Sequence, residues 1–413
     1  MRGGNLTRWL TTITVTLLVF YVHQADSLWS PRVVVPAVRR HSPTVLWVSA
    51  SSSVPSSSAS PSGVVAAEGG GATADALAAA VARAAERNKK LAKRWATGLS
   101  LGALCTLWIF SGNGVFTLGF LLTSLVAQSE YYGMIQVSGD LPTRKIGIVS
   151  LVLSYVTAAM LPAFHESVMP LSATFLMLWL LVFNKKSATI REISTSLLGM
   201  FYIGYLPSFW VRLKTCSSLG MVAPSFFPPF LRSLSIQGWS IGSILTWWTW
   251  TSIVFADVGA YFIGKKFGKH KLSSVSQAAG AASPNKTVEG ALGGFTSCVV
   301  FAVAGALLMR WPLPFVSGPV YGLVISFIAL VGDLTASMMK RDAGVKDTGT
   351  LLPGHGGLLD RIDSYMFTAP AAFYFCTVGL PWLAKIDSMR GKRNLLLQTI
   401  SALSSGGVHS VVL

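Results

Sequence analysis

Charge is scarce in this chain of 413 residues, of which 12% are charged and only 16 are acidic. Soluble domains carry about 25% charged residues. The hydrophobic fraction is 52%, with 13 Trp and 22 Phe, and one soluble core cannot bury that many apolar side chains. The composition therefore excludes an ordinary soluble protein and predicts an all-α, polytopic integral membrane protein.

Cysteine is also rare, and the four cysteines lie far apart, at Cys105, Cys216, Cys298 and Cys376. A structural zinc site or a small disulfide framework needs closely spaced cysteines. Each of the four lies in or beside an apolar run, so we interpret them as small hydrophobic residues.

The shortage of acidic residues leaves a formal net charge of +17. A nucleic-acid-binding protein would gather its basic residues on a soluble domain. Here they are scattered through the links between apolar runs. This pattern indicates anionic membrane lipids and an anionic substrate as partners, and no nucleic acid.

The first 95 residues differ from the rest and form three predicted segments. Residues 1–26 hold two arginines ahead of an apolar run, as a secretory signal does. Residues 27–71 are rich in Arg and Ser, as a disordered transit peptide is, and residues 72–95 predict a basic amphipathic helix on the membrane surface. Together they predict a plastid address. A mitochondrial or endoplasmic-reticulum address stays open, as does a membrane anchor followed by a linker.

Nine apolar runs follow, each approaching the roughly 20 residues that cross a bilayer. The candidate spans are 97–110, 115–128, 146–163, 170–184, 193–211, 241–263, 291–309, 313–332 and 365–384. They predict about eight or nine transmembrane helices, because the stretch 98–128 fits one long helix or two short ones. The predicted membrane-embedded domain is 96–390, and residues 391–413 form a C-terminal tail.

Two features of the sixth span and the link after it indicate a polar site. Asp257 interrupts the span, and a lone carboxylate in a membrane helix is typical of a functional site. Residues 283–290 read SPNKTVEG, in which Ser283, Lys286 and Thr287 precede a predicted helix and could bind a phosphate. The same run fits a capped helix start, with Glu289 in its first turn and no ligand. Both interpretations stay open.

Nine charged residues of both signs crowd into residues 332–364. Asp333, Ser337 and Lys340 are spaced i, i+4, i+7, so a continuing helix would place them on one face. A second helix would place Asp360 and Asp363 on one face, where they could meet Asp333 and form an oxygen-rich site for Mg²⁺. Spacing alone leaves interhelix salt bridges from Asp to Arg equally open.

Between these two predicted helices lies LPGHGG, residues 352–357. Proline removes a backbone donor and glycine permits unusual backbone angles, so this run predicts a loop. We interpret His355 as a phosphate contact or a structural hydrogen bonder. A general base is not needed, because a phosphate monoester is already ionised.

These segments together resemble the phosphatidate cytidylyltransferase family. The resemblance is carried by Ser337-x-x-Lys340-Arg341-x-x-x-x-Lys346-Asp347, by LPGHGG-x-x-Asp360-Arg361-x-Asp363, and upstream by Asp257-x-x-Ala-Tyr-Phe and SPxKTxEG. It covers roughly residues 95–385. A small-residue extension before Ser283, residues 278–282, departs from the pattern.

The resemblance implies an integral membrane enzyme that transfers the cytidylyl group of CTP to phosphatidic acid, giving CDP-diacylglycerol and pyrophosphate. It makes Asp333, Asp360 and Asp363 the ligands of Mg²⁺, with a second cation such as K⁺ beside it. The implied catalytic residues are Asp333, Lys340, Arg341, Lys346, Asp360 and Asp363. The implied contacts with CTP or the lipid phosphate are Ser283, Lys286, Thr287, Ser337, His355 and Arg361. Asp257, Glu289 and Asp347 are expected to orient these cations.

Two other functions stay open at this point. A CTP-dependent lipid kinase of the dolichol or phytol type would also be polytopic and metal-dependent, but it would yield a phospholipid and CDP. An ion or solute transporter would move its substrate without releasing pyrophosphate. The sequence also leaves a homodimer open.

Overall fold

A computed structural model describes residues 86, 100, 102–139, 142–183, 187–216, 240–349 and 356–404. The predicted leader segments 1–26 and 27–71, and all but one residue of the predicted amphipathic helix 72–95, lie outside these ranges. The chain divides into two units, Met1–Ala103 and Leu104–Leu413. The architecture below is that of the second unit.

Eleven α-helices are described after residue 112. They are α1 (Asn113–Val137), α2 (Arg144–Met160), α3 (His165–Val182), α4 (Ile190–Leu198), α5 (Phe209–Thr215), α6 (Ile241–Phe267), α7 (Gln277–Ala282), α8 (Val288–Leu308), α9 (Pro314–Asp342), α10 (Leu359–Tyr374) and α11 (Leu380–Ser404). Within the described ranges extended pairing is limited to isolated bridges: Lys271 pairs with Thr287, and Gly356 is a further bridge residue. The prediction of an all-α fold is confirmed.

Four of the described helices are long and apolar enough to cross a membrane: His165–Val182, Val288–Leu308, Pro314–Asp342 and Leu359–Gly391, the last of which continues from α10 into α11. A protein embedded in the membrane by several helices is therefore confirmed. The count of eight or nine spans stays a prediction. The domain boundary predicted at residue 390 falls within α11, which continues to Ser404.

The stretch 98–128 forms two helices and not one. Residues 102–109 are helical, residues 110–112 are not, and α1 begins at Asn113. It then extends to Val137, well beyond the predicted end at residue 128. Gln128 and Glu130 do not end the helix, because protein buries both of their side chains to below a tenth of full exposure.

The predicted span 193–211 is helical but irregular. It comprises α4, a π-helical turn (Gly199–Tyr205), a short 3₁₀ turn (Leu206–Ser208) and α5. π-helical turns are frequent at functional sites. This one carries the fully buried Tyr202, whose hydroxyl donates to the carbonyl oxygens of Gly332 at 3.5 Å and Asp363 at 3.4 Å. Tyr202 therefore bridges the two helices that carry most of the predicted site.

Helices α6, α8, α9 and α10 alternate in direction. At one end of the α6–α8 pair, the indole nitrogen of Trp248 donates to the Phe301 carbonyl at 3.0 Å, and α8 packs along α9. In the α9–α10 pair, Lys340 contacts Asp360 at one end and the Tyr321 ring contacts Phe375 at the other. The C-terminal ends of α6 and α9 and the N-terminal ends of α8 and α10 thus lie together. We call this the signature end.

Candidate active site

A cavity of about 450 Å³ opens between α6, α8 and α9 at the signature end. Its polar and charged lining residues are Asp257, Tyr261, Lys265, Asn285, Lys286, Thr287, Ser326 and Asp333. Most of the remaining lining is apolar and small, including several Ala and Gly residues of the same helices. The cavity therefore combines a charged part with an apolar part inside the helical bundle.

Lys286 and Asp333 form an ion pair that joins the two polar segments of the sequence. The Lys286 Nζ donates to Asp333 Oδ2, and the two side chains are 29% and 32% exposed. Ser337 donates to the other oxygen of the same carboxylate at 3.5 Å. The prediction that α9 continues through this segment, with Asp333, Ser337 and Lys340 on one face, is confirmed.

Backbone pairing fixes the position of Lys286. The Leu272 N–H donates to the Lys286 carbonyl at 2.9 Å, and the Val288 N–H donates to the His270 carbonyl at 2.9 Å. The segment that carries Lys286 is therefore held on both sides before α8 begins. Its ammonium is directed at the cavity from a fixed backbone, so little ordering is needed to place it.

The capped-helix interpretation holds at the start of α8. Thr287 is the N-cap residue, and its hydroxyl oxygen accepts from the Gly290 N–H at 3.1 Å. Glu289 accepts from the His270 backbone N–H at 3.1 Å, and its Oε1 lies 2.6 Å from the His270 ring Nδ1. Glu289 thus holds the segment around His270 in place. That it also orients cations stays a prediction. Ser283 follows the short helix α7 and lies outside the lining of the cavity.

Asp360 is bound by a lysine and by the loop before α10. Its Oδ1 accepts from Lys340 Nζ at 2.6 Å, and the two side chains are 9% and 13% exposed. Its Oδ2 accepts from the Thr348 N–H at 2.9 Å, the Thr348 hydroxyl at 3.0 Å and the Gly357 N–H at 3.0 Å. Both oxygens of this carboxylate are therefore engaged by protein groups.

This geometry corrects the predicted cluster of three carboxylates. Asp363 is 7% exposed, and its backbone lies against Gly332, the neighbour of Asp333 on α9. Asp360 instead faces Lys340 and the loop. Within the described ranges no three His, Cys, Asp or Glu side chains converge as a metal site. The salt-bridge alternative is borne out in part, with lysine in place of the expected arginine.

Five predicted residues remain. Arg341, Lys346, Asp347 and Arg361 are exposed and do not line the cavity, and His355 lies outside the described residues. Gly356 has a φ of +78°, and a Cβ there would lie 3.1 Å from an Asp360 oxygen. Only glycine adopts that backbone so close to the carboxylate without strain.

One buried carboxylate at this site was missed in the sequence. Glu130, on α1, accepts from the N–H groups of Leu358 at 3.0 Å and Leu359 at 2.9 Å, at the start of α10. The Thr348 hydroxyl donates to it at 3.2 Å. The available signal was the same as for Asp257, an isolated acidic residue in an apolar stretch.

Comparison with known proteins identifies the family. The Cytidylyltransferase family profile matches residues 92–378. A phosphatidate cytidylyltransferase of Synechocystis sp. is 40% identical over 287 residues, which are 68% of this chain and 94% of that protein. The chain belongs to the cytidylyltransferase family. The resemblance inferred from the polar segments is thereby confirmed.

Other cytidylyltransferases share the same region. Phosphatidate cytidylyltransferase 4, chloroplastic, of Arabidopsis thaliana is 31% identical over 306 residues, 71% of this chain and 75% of that protein. Phosphatidate cytidylyltransferase of Bacillus subtilis is 32% identical over 204 residues, 49% of this chain and 65% of that protein. The family match includes α1 to α10, and hence the cavity, the Lys286–Asp333 pair and Glu130.

Proposed function

We propose that this protein transfers the cytidylyl group of CTP to phosphatidic acid, giving CDP-diacylglycerol and pyrophosphate. The observation that carries the proposal is the Lys286–Asp333 pair in a cavity that is charged at one part and apolar at another. A lipid with an anionic head and a nucleoside triphosphate both need cations at the same place. Relatives that span most of this chain bear the name phosphatidate cytidylyltransferase.

The reaction needs positioned charge and no covalent enzyme intermediate. A phosphate oxygen of phosphatidic acid, already ionised, attacks the α-phosphorus of CTP and forms the new P–O bond. The bond between the α-phosphorus and the bridging oxygen breaks, and pyrophosphate leaves with the electron pair. We assign the holding of the phosphates in line, and the stabilisation of the charge that develops on their oxygens, to two ammonium groups. Lys286 lines the cavity, and Lys340, paired with Asp360, lies outside its lining.

The donor set fits Mg²⁺ at Asp333 and Asp363. Both supply hard carboxylate oxygens, and a cation between them would offset their repulsion and that of the nearby Asp257. A bound Mg²⁺ supplies neutralisation of phosphate charge. Asp360 acts in this proposal by holding Lys340 and the loop. The proposal also includes a second cation, with K⁺ as the candidate. Glu289 and Asp347 would orient the cations. The proposed outer contacts with phosphate are Ser283, Thr287, Ser337, Arg341, Lys346, His355 and Arg361.

Product analysis of detergent-purified protein with CTP, phosphatidic acid and Mg²⁺ tests the proposal. We expect CDP-lipid and pyrophosphate in equal amounts, with a rate about 10²- to 10³-fold lower for Lys286→Ala. Lys269→Ala is the matched control, because Lys269 is exposed and lies outside the cavity lining. CDP with a new phospholipid, formed from an alcohol acceptor, would establish the lipid kinase instead.

The membrane location is established by the helices, and we propose the plastid as the organelle. The support is the Arg- and Ser-rich composition of residues 27–71 and the chloroplastic relatives. A fluorescent fusion of residues 1–95 is expected to label plastids. A reticular pattern would overturn the proposal. The homodimer stays a prediction.

A further inference from the structure

We infer that Glu130 is a positioning residue for this reaction. Its carboxylate holds Thr348 and the start of α10, the helix that carries Asp360, and Asp360 in turn binds Lys340. The inference rests on the proposed function, because it concerns the same site. Glu130 does not line the cavity, so its effect on the reaction would pass through the groups that it holds.

Helix α10 begins without a cap of its own. Its N-cap residue is Leu358, whose side chain cannot accept a hydrogen bond. Glu130 accepts from the free N–H groups of Leu358 and Leu359, one with each carboxylate oxygen, at 3.0 and 2.9 Å. A carboxylate at this position is also favoured by the helix dipole. Helix α1 thus supplies the cap of α10 from more than 200 residues away, at sequence separations of 228 and 229.

A continuous hydrogen-bonded path joins Glu130 to Lys340. The Thr348 hydroxyl lies 3.2 Å from a Glu130 oxygen and 3.0 Å from Asp360 Oδ2, so its single proton serves two carboxylates. Asp360 Oδ1 then accepts from Lys340 Nζ at 2.6 Å. A displacement of Glu130 is therefore passed to Lys340 through two side chains.

The loop backbone lies directly against Glu130. A Cβ on Gly349 would lie 2.7 Å from Glu130 Oε1, and a Cβ on Gly357 would lie 2.6 Å from Oε2. A Cβ at either position would therefore force the Glu130 carboxylate to shift. With its side chain buried and both oxygens engaged, Glu130 has one arrangement available.

A positioning role and a merely structural role differ in what a mutation changes. Removing a hydrogen bond to a charged group is expected to lower kcat roughly ten- to hundredfold in Glu130→Gln. Glu130→Ala and Glu130→Asp are expected to lower kcat about 10²-fold, because misplacement of a reacting group by about 1 Å costs that much. Aspartate keeps the charge but is too short to reach α10. The KM for CTP should change less than kcat, since Lys286 stays in place. A structural role alone would lower the melting temperature and leave the kcat of folded protein unchanged.

The experiment measures kcat, KM and melting temperature for the full-length Glu130 variants, together with hydrogen exchange of residues 356–363. Glu192→Gln is the matched control, because Glu192 also caps a helix start but is only half-buried and lies outside the cavity lining. We expect lower kcat and faster exchange in the Glu130 variants, and neither change in the control. Wild-type kcat in folded Glu130→Gln and Glu130→Ala would overturn the inference.

Two further arms keep the outcomes separate. If wild-type protein forms no CDP-lipid, the proposed function fails. The positioning of α10 by Glu130 is tested independently, because unchanged hydrogen exchange at residues 356–363 in the Glu130 variants would overturn it. If the Glu130 variants do not fold, Thr348→Val decides, since it cuts the path at its middle and conserves volume. We expect a kcat loss of about tenfold for Thr348→Val, and an unchanged kcat would refute the role.

Discussion

At the scale of single residues, Asp360 and Asp363 are three positions apart yet have different partners. Asp360 binds Lys340 and the loop, whereas Asp363 is buried beside Asp333. We predict that Asp363→Asn raises the Mg²⁺ concentration for half-maximal activity by about tenfold or more, because a ligand is lost. Asp360→Asn should lower kcat with little change in that concentration.

A Mg²⁺ titration of CDP-lipid formation separates the two variants, with melting temperatures as the folding control. The same shift in both variants would restore the cluster of three carboxylates that spacing first suggested. No shift in Asp363→Asn would remove it from the proposed ligands.

These residues also mark how far sequence reasoning extends. The face shared by Asp333, Ser337 and Lys340 was predictable, because helix periodicity is a local property. The partners of Asp360 were not, because Lys340 and Thr348 lie 20 and 12 residues away in sequence and meet it only through tertiary packing. Glu130 could be found only as an isolated charge, since its contacts lie more than 200 residues away in sequence, as the separation of 229 to Leu359 shows.

At the scale of helices, Gly332 sets how closely α9 and α10 approach. A Cβ there would lie 2.6 Å from the Asp363 carbonyl oxygen, which belongs to backbone and cannot rotate away. We predict that Gly332→Ala forces the two helices apart and costs about 1–3 kcal/mol of stability. The accompanying shift of Asp363 relative to Asp333 should lower kcat about 10²-fold.

Gly391→Ala is the matched control for this prediction. Gly391 lies in α11, and a Cβ there would meet nothing within 4 Å. Alanine is favoured over glycine in a helix by about 1 kcal/mol, so this variant should be neutral or more stable. Thermal unfolding and kcat measured for both variants check the pair. Equal behaviour of the two would show that the close approach at Gly332 is not required.

The helix boundaries divide in the same way between local and distant causes. Thr287 marks the start of α8 through a capping hydroxyl, a signal that is readable in the sequence. The continuation of α1 past Gln128 could not be predicted from the sequence, because the same polar residues can be buried by packing or exposed at a helix end. Tertiary packing decides which of them ends a helix.

At the scale of the whole molecule, the alternating helices gather basic residues at the signature end. Exposed cations of the α6 terminus and of the link that follows lie there, among them Lys265, Lys266, Lys269 and Lys271. The opposite end holds the short link between α8 and α9, with Arg310, and α11, which continues from α10 there, carries the exposed Lys385 and Arg390. Assigning the basic links to alternate membrane faces along the sequence does not reveal this asymmetry, because irregular helices and short links make the number of spans uncertain.

This arrangement predicts that the two ends lie on opposite faces of the membrane, with the signature end on the face that CTP reaches. Cysteines placed at Lys269 and Arg310, in a background with the four native cysteines replaced, should react with an impermeant thiol reagent from opposite sides of proteoliposomes. Helix α9 supports the geometry, since its 29 residues at about 1.5 Å each exceed the roughly 30 Å of hydrocarbon. CTP added outside should be used only by molecules whose residue 269 is labelled from outside. Labelling of both positions from the same side would contradict the alternating arrangement of α6, α8 and α9, and with it the location of the cavity at one membrane face.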